Sequence, residues 1–385
     1  MAKNLTLFDF KTRLRPDVLY VDKTDYLYKL NKLDGVFYSI SRPRWFGTSL
    51  LIQTLELMYR GRRDVFKGLA IDNTDYSWTS HPVLVLNFSL GSESPAELRR
   101  LLAYDLNKEA ERFGITLEKT KNPALFYRQA IERLSQVNKI VILIDEFDKP
   151  LMINAAGKQL DAVLQVYREF FSVLDESKDK LKLCLAFGTT AFAGSHLSPA
   201  LDNFIDLTFS DDYAALFGYT QEELEENFSE YIEDGRNALK MGKKEYLEQM
   251  KSWFGGYRFS PTGEEVYHPG FITRFFSSES EGTDFKDYWV MIGRIREVIR
   301  KRAAAAEFDL TCDRETQILQ SKLLSKDIID LSFAFTKEEF MMLLYWYGYL
   351  TVKKAEPVGN DNLLSLGYTN MAMENNLKNL LTGER

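Results

Sequence analysis

A chain of 385 residues, 45% hydrophobic and 14% aromatic, has the material for two or three packed domains and is no disordered polymer. A net charge of −7 excludes a protein whose whole surface holds nucleic acid, and leaves only a local basic patch for such a role. Two cysteines, Cys184 and Cys312, exclude a disulfide framework, and three scattered histidines (His81, His196, His268) without a CxxC pair argue against a zinc site.

The N-terminal stretch MAKNLTLFDFKTRLRPD lacks an apolar leader core, and no run approaches the roughly 18 apolar residues of a membrane span, so a cytoplasmic protein is expected. GVFYSI (35–40) reads as a strand, and TSLLIQTLELMYRG (48–61) as a helix ending at Gly61. HPVLVLNFS (81–89) is a second strand. A helix over 94–114 follows, with Ser94 as its N-cap and Gly114 as its stop. After a helix over 125–137, KIVILIDEF (139–147) is the most hydrophobic strand of the chain, and another helix (162–177) leads to the strand LKLCLAFGTT (181–190). VLVL and VILI lack in/out alternation, which places both faces of a parallel sheet in the interior. Cys184 is expected to be a buried core residue.

Beyond about residue 212 the character changes to charged amphipathic helices (219–257, then 296–309 and 335–350), with a hairpin at YLTVKK…LLSLGY (349–368). We therefore divide the chain into an α/β core, 1–211, and a mainly helical C-terminal region, 212–385, with a small terminal hairpin.

Two motifs carry chemistry. The first is SRPRWFGTSLL (41–51), directly after the first strand. A phosphate-binding loop reads strand, G-x-x-x-x-G-K-[ST], helix, with backbone N–H groups around the phosphates and Lys reaching the β/γ oxygens. Gly47 and Ser49 occupy the second-glycine and hydroxyl positions. Arg42 stands at the first glycine, and Thr48 stands where the Lys belongs. Arg42 and Arg44 are candidate substitutes for that charge, since a guanidinium grips phosphate in bidentate fashion. Solvent-facing or carboxylate-paired arginines are the alternative.

The second motif is IVILIDEFDKP (140–150), a buried strand ending in acids. In a P-loop ATPase this places a Mg²⁺-binding Asp and a catalytic Glu near the γ-phosphate. Asp145 would hold Mg²⁺ together with Ser49, Glu146 would activate water, and Asp148 would support them. Thr189 and Thr190, ending the next strand, are candidate γ-phosphate sensors or simply a satisfied turn. Trp253, Tyr257 and Arg258 could stack on a base, with a packed turn as the alternative. RIREVIRKR (294–302) is the one basic cluster through which nucleic acid could be held, a solvated helix face being the bland reading.

The chain resembles the bacterial AAA-ATPase-like family, whose P-loop domain is commonly followed by a PD-(D/E)XK nuclease-like domain. The likeness runs in order through YVDKTDYLYKL (20–30), SRPRWFGTSLLIQTLE (41–56), HPVLVLNFS, VILIDEFDKPL, LSPALDNFIDLT (197–208), YAALFGYTQEEL (213–224), WFGGYRFSPTGEEVYHPGF (253–271), YWYGYLTVKK (345–354) and LGYTNMAMENNL (366–377). It implies a P-loop NTPase core of the additional-strand type, with a helical lid or appended domain. It also implies that Asp22 and Lys23 lie near the nucleotide and that the chain stops short of the nuclease-like domain. The family loop usually reads RPRRFGKS, so Trp45 replaces an Arg and Thr48 the Lys, and Ala191 stands where a cation is common.

With those charges gone and Asp145 and Glu146 kept, the site is expected to be net negative. The leading expectation is a degenerate ATPase-like module that acts by binding a protein partner, with weak or absent hydrolysis. The alternatives are an active Mg²⁺-dependent ATPase using Arg42 or Arg44, and a nucleic-acid-handling module partnered with a nuclease. ATP and Mg²⁺ are the expected cofactors, with binding of neither as the opposing case.

Overall fold

A computed structural model describes residues 10 to 382 apart from 16, 155–157, 191–201, 278, 290–295, 298, 301–315 and 324–336. The first part runs α1 (Thr24–Asn31), β1 (Phe37–Ser41), α2 (Thr48–Tyr59), β2 (Val83–Asn87), α3 (Pro95–Arg112), α4 (Pro123–Ser135), β3 (Ile140–Asp145), α5 (Lys149–Asn154), α6 (Leu160–Glu176), β4 (Leu181–Gly188) and β5 (Ile205–Asp206). The second part runs α7 (Gln221–Asn227), α8 (Ser229–Ala238), α9 (Lys243–Phe254), α10 (Pro269–Phe275), β6 (Thr316–Leu319), α11 (Gln320–Leu323), α12 (Lys337–Trp346), β7 (Leu350–Val358), β8 (Asp361–Tyr368) and α13 (Met371–Thr382).

The helix signals are local and act as the sequence implies. Ser94 caps α3 by accepting from the Glu97 amide at 3.3 Å. Thr220 and Glu223 close a reciprocal capping box on α7.

The main sheet has the order β2-β3-β4-β1-β5, and every pair in it is parallel. Strand β4 therefore lies between β1, which feeds the glycine loop, and β3, which ends in the acids. This is the additional-strand arrangement of P-loop NTPases, and the fold is α/β of that type. Its consequence is positional: the carboxyl ends of β1, β3 and β4 converge on one edge of the sheet, where ligands of open α/β sheets bind.

Both faces of the sheet are buried, by alternate residues of each strand. Leu84, Leu86, Ile142, Ile144 and Cys184 face a core completed by α3, α4 and α6. Val83, Val141, Leu143, Leu183 and Leu185 face a second core that takes in α2 and continues through Phe254, Tyr257, Phe271 and Trp346 of the C-terminal region. One hydrophobic cluster thus crosses the position of the sequence boundary at 211. The C-terminal part carries an antiparallel sheet in the order β6-β8-β7.

Two strands escape the sequence reading: β5, of two residues, and β6, of four. Both are too short to show a period of two, and partners distant in sequence decide them. The expected helix over 296–309 lies largely outside the described residues. Among the described residues, no helix is long and apolar enough to cross a membrane.

Candidate functional site

β1 ends at Ser41, the chain crosses the loop 42–47, and α2 begins at Thr48. Gly47 takes φ +94° at the N-cap of α2, a left-handed conformation that glycine adopts without a Cβ clash. Trp45 also has a positive φ, +63°, which for a bulky side chain is a true outlier. Its neighbour Phe46 is 2% exposed and packs edge-on against Tyr257, Phe259 and His268, with ring centroids 4.9, 5.2 and 4.5 Å away. The loop is thus held from the C-terminal side.

His268 makes that hold specific. Its Nδ1 accepts from the Phe271 amide at 3.3 Å, capping α10, so the ring proton sits on Nε2 and donates to the Arg44 carbonyl at 3.1 Å. The ring is 0% exposed, and burial holds its pKa down to about 3, so it stays neutral at physiological pH.

The acidic strand meets the loop across β4. Ser49 Oγ donates to Asp145 Oδ2 at 3.2 Å. Burial first, and the neighbouring charge of Glu146 second, push the Asp145 carboxyl up to about 6. A hydroxyl and a carboxylate converging in this way are oxygen donors of the kind Mg²⁺ takes while keeping several waters. Among the described residues no group of three or more His, Cys, Asp or Glu could hold a metal on protein ligands alone.

Glu146 adopts a left-handed backbone, φ +48°, just past the strand. Its carboxylate pairs with Lys149 Nζ at 2.9 Å and with Arg44 Nη2 at 3.5 Å. Asp148 is 4% exposed and accepts from the Thr190 amide at 3.0 Å, the Thr190 hydroxyl at 3.0 Å and the Thr189 amide at 3.2 Å. Burial raises its pKa, and these three donors pull it back.

A cavity of about 390 Å³ lies among these groups, bordered by Arg44, Thr48, Ser49, Asp145, Glu146 and Thr189. A smaller, mainly apolar one of about 70 Å³ adjoins it, sharing Gly47, Leu50 and Thr273, with Tyr20, Phe217 and Tyr219 along its wall.

The structure brings Arg44, Gly47, Thr48, Ser49, Asp145, Glu146 and Thr189 to one cavity. It takes others away. Arg42 borders the cavity, yet the residue is 3% exposed and its guanidinium donates to the carbonyls of Ser41, Thr208 and Tyr213 at 2.8, 3.0 and 3.0 Å. It also lies 4.3 Å from the centre of the Phe259 ring, so the expectation that Arg42 replaces the loop lysine does not hold. A buried guanidinium turns its donors to internal acceptors, and here Nη1 and Nη2 knit β1 to the segment before α7, while Nε has no hydrogen-bond partner among the described residues.

Asp22 accepts from the Thr24 and Ala70 amides, at 2.9 and 2.7 Å, and borders neither cavity. It shapes the turn into α1. Lys23 pairs with Glu223 at 2.5 Å and donates to the Ala215 carbonyl at 2.7 Å; it touches only the smaller cavity. The Thr190 hydroxyl is spent on Asp148. Tyr257 is 1% exposed and Arg258 pairs with Glu265 at 3.0 Å, so this segment is a packed turn and not a base platform. Ala191 and most of the basic cluster 294–302 lie outside the described residues.

Sequence reasoning missed His268, Lys149 and, on the cavity itself, Arg274. Arg274, on α10, borders the larger cavity beside Gly270 and Thr273. Among the described residues, Arg44 and Arg274 stand against Asp145 and Glu146 on the cavity, so the net negative character expected of it is not seen there. No local signal marks Arg274, which stands more than a hundred residues from either motif.

Comparison with known proteins agrees with this geometry. The chain is 27% identical over 379 residues to an uncharacterized protein encoded in the vnfD 5′ region of Azotobacter chroococcum mcd 1, a match covering 96% of this chain and 68% of that one. The sequence profile of a family described as predicted AAA-ATPase matches residues 5–198. With the additional-strand sheet, the glycine loop and the acid-ended strand in register beneath that match, the chain belongs to the predicted AAA-ATPase family.

Proposed function

We propose that this ATPase-like module binds a nucleoside triphosphate with Mg²⁺ at the cavity around Thr48 and acts mainly through that binding, on a protein partner, with weak or absent hydrolysis. The observation that carries the reading is the state of Glu146. Its carboxylate is closed by Lys149 at 2.9 Å and Arg44 at 3.5 Å, beside a helix that begins with Thr48 in place of a lysine.

A water-activating carboxylate must accept a proton, and two cations on it oppose that. Removing one preorganised donor from a developing charge commonly costs about 10²- to 10³-fold in rate. Binding keeps more of its support: the N-terminal amides of α2, and the apolar annex beside Gly47, which offers a slot for a planar base. Bound at Ser49 and Asp145, Mg²⁺ would supply charge compensation for the phosphates.

Two measurements test this. Calorimetric titration with Mg²⁺–ATP is expected to show binding, and a phosphate-release assay is expected to show turnover far below about 1 s⁻¹. Turnover above that rate which Glu146→Gln abolishes would establish a working ATPase and overturn the reading.

A further inference from the structure

We propose that Arg274, on the C-terminal helix α10, is the phosphate-binding cation of this site and that Trp45 holds it in place. The inference rests on the nucleotide-binding reading above. It supplies the charge that the loop lacks at Thr48.

Three observations converge on it. Arg274 borders the same cavity as Gly47, Thr48, Ser49 and Asp145 and reaches it from the C-terminal helix α10. Its guanidinium carbon lies 4.7 Å from the centre of the Trp45 ring, within the range of a cation–π contact. One donor, on Nη1, is committed to the Tyr288 carbonyl at 3.1 Å. A guanidinium carries five N–H donors in a fixed plane, so an anchor on one edge and an indole on one face set the direction of the rest.

The loop is shaped for this pairing. Trp45 adopts a left-handed backbone that costs about 1–3 kcal/mol, and such outliers persist where surrounding contacts over-determine them. Here the contacts are Trp289, at 5.5 Å between ring centroids, and Arg274. Gly270, one turn before Arg274, permits the approach, since a Cβ there would sit 3.1 Å from the Trp45 Cβ. Both substitutions in the loop then have a single physical reading. Thr48 withdraws a flexible point charge, and Trp45 positions a planar one delivered by another part of the chain.

The ligand class follows from the geometry. A planar, bidentate donor beside the helix amides of α2 suits the terminal phosphates of a polyphosphate, whether a nucleoside triphosphate or inorganic tripolyphosphate. Titration with each, in Mg²⁺, separates the two sources, because only the nucleotide reaches the apolar annex.

The test uses the full chain and four proteins: wild type, Arg274→Gln, Thr48→Lys, and the double variant. Glutamine removes the charge and keeps a polar side chain, though it is too short to hold the Tyr288 carbonyl as Nη1 does. Arg274→Gln is expected to weaken Mg²⁺–ATP binding about 10- to 100-fold. The double variant, with a lysine at 48, is expected to recover to within about threefold of wild type. Unchanged affinity in Arg274→Gln overturns the role of Arg274 and leaves the nucleotide reading intact. Weakened binding that Thr48→Lys does not restore also overturns it, because it marks a structural effect. No binding by wild type at millimolar ATP removes both.

Discussion

The hydrogen bond between His268 and the loop carbonyl of Arg44 makes a prediction about stability and pH. Asparagine at 268 can still cap α10 from its side-chain oxygen, but it is too short to reach Arg44 while doing so. It also loses ring contacts with Phe271 at 4.3 Å and Phe46 at 4.5 Å. One lost hydrogen bond and a partly collapsed ring site should cost about 2–3 kcal/mol at pH 8.

The sign of the pH effect follows from burial. The folded pKa, about 3, is depressed from the ordinary value of 6.5, so the neutral ring favours folding. That contribution is complete above 6.5 and is lost as the pH falls towards 3, because the unfolded chain takes up a proton that the folded one refuses. Between pH 7 and pH 5 the loss amounts to about 2 kcal/mol at 1.36 kcal/mol per unit. His268→Asn has no such loss. Urea unfolding of the two proteins should therefore show a gap of about 2–3 kcal/mol at pH 8 that narrows to about 1 kcal/mol or less at pH 5. Taking the difference cancels every other titrating group, His81 included. A gap of equal size at both pH values would refute the buried neutral tautomer.

Two further expectations concern buried charge. Asp148→Ala orphans the Thr190 amide and hydroxyl and the Thr189 amide, and should cost about 2–4 kcal/mol in urea unfolding; a loss below about 1 kcal/mol would show that these donors find other partners. Arg60, at the end of α2, pairs bidentately with Glu109 on α3 at 2.8 and 2.9 Å, with side chains 9% and 6% exposed. Glu109→Ala takes the buried partner from that guanidinium, leaving it the partly exposed Glu56 at 2.9 Å, and orphans the Val83 amide; it should cost about 3–4 kcal/mol, whereas Arg60→Met with Glu109→Leu should recover about 1–2 kcal/mol of that loss. Equal losses in the single and double variants would deny the coupling.

The charge at the candidate site shows what a linear reading can and cannot weigh. Counting cations near the two motifs leaves a loop short of positive charge, because Thr48 and Trp45 are visible there. Folding changes the count in both directions. Arg42, adjacent to the loop in sequence, turns inward to three carbonyls. Arg274, remote in sequence, arrives at the cavity.

The sequence by itself determined the parts of this protein that depend on local physics. Apolar runs without alternation, VLVL and VILI, could only be strands buried on both faces. Ser94 and the Thr220/Glu223 pair marked helix starts, because a cap is satisfied within four residues. The order of glycine loop, two intervening units and acid-ended strand located the edge of the sheet that carries the candidate site, since in a parallel sheet all the strands end on one side. Tertiary structure alone decided the rest. Strands of two and four residues exist only through their partners. Asp148 and Asp22 proved to be acceptors for backbone amides, and Arg42 a buried tie, because a side chain's role depends on which donors and carbonyls folding brings within 3 Å. The tie between His268 and Arg44, and the approach of Arg274 to Trp45, join residues more than two hundred positions apart, and no pattern along the chain encodes such a distance.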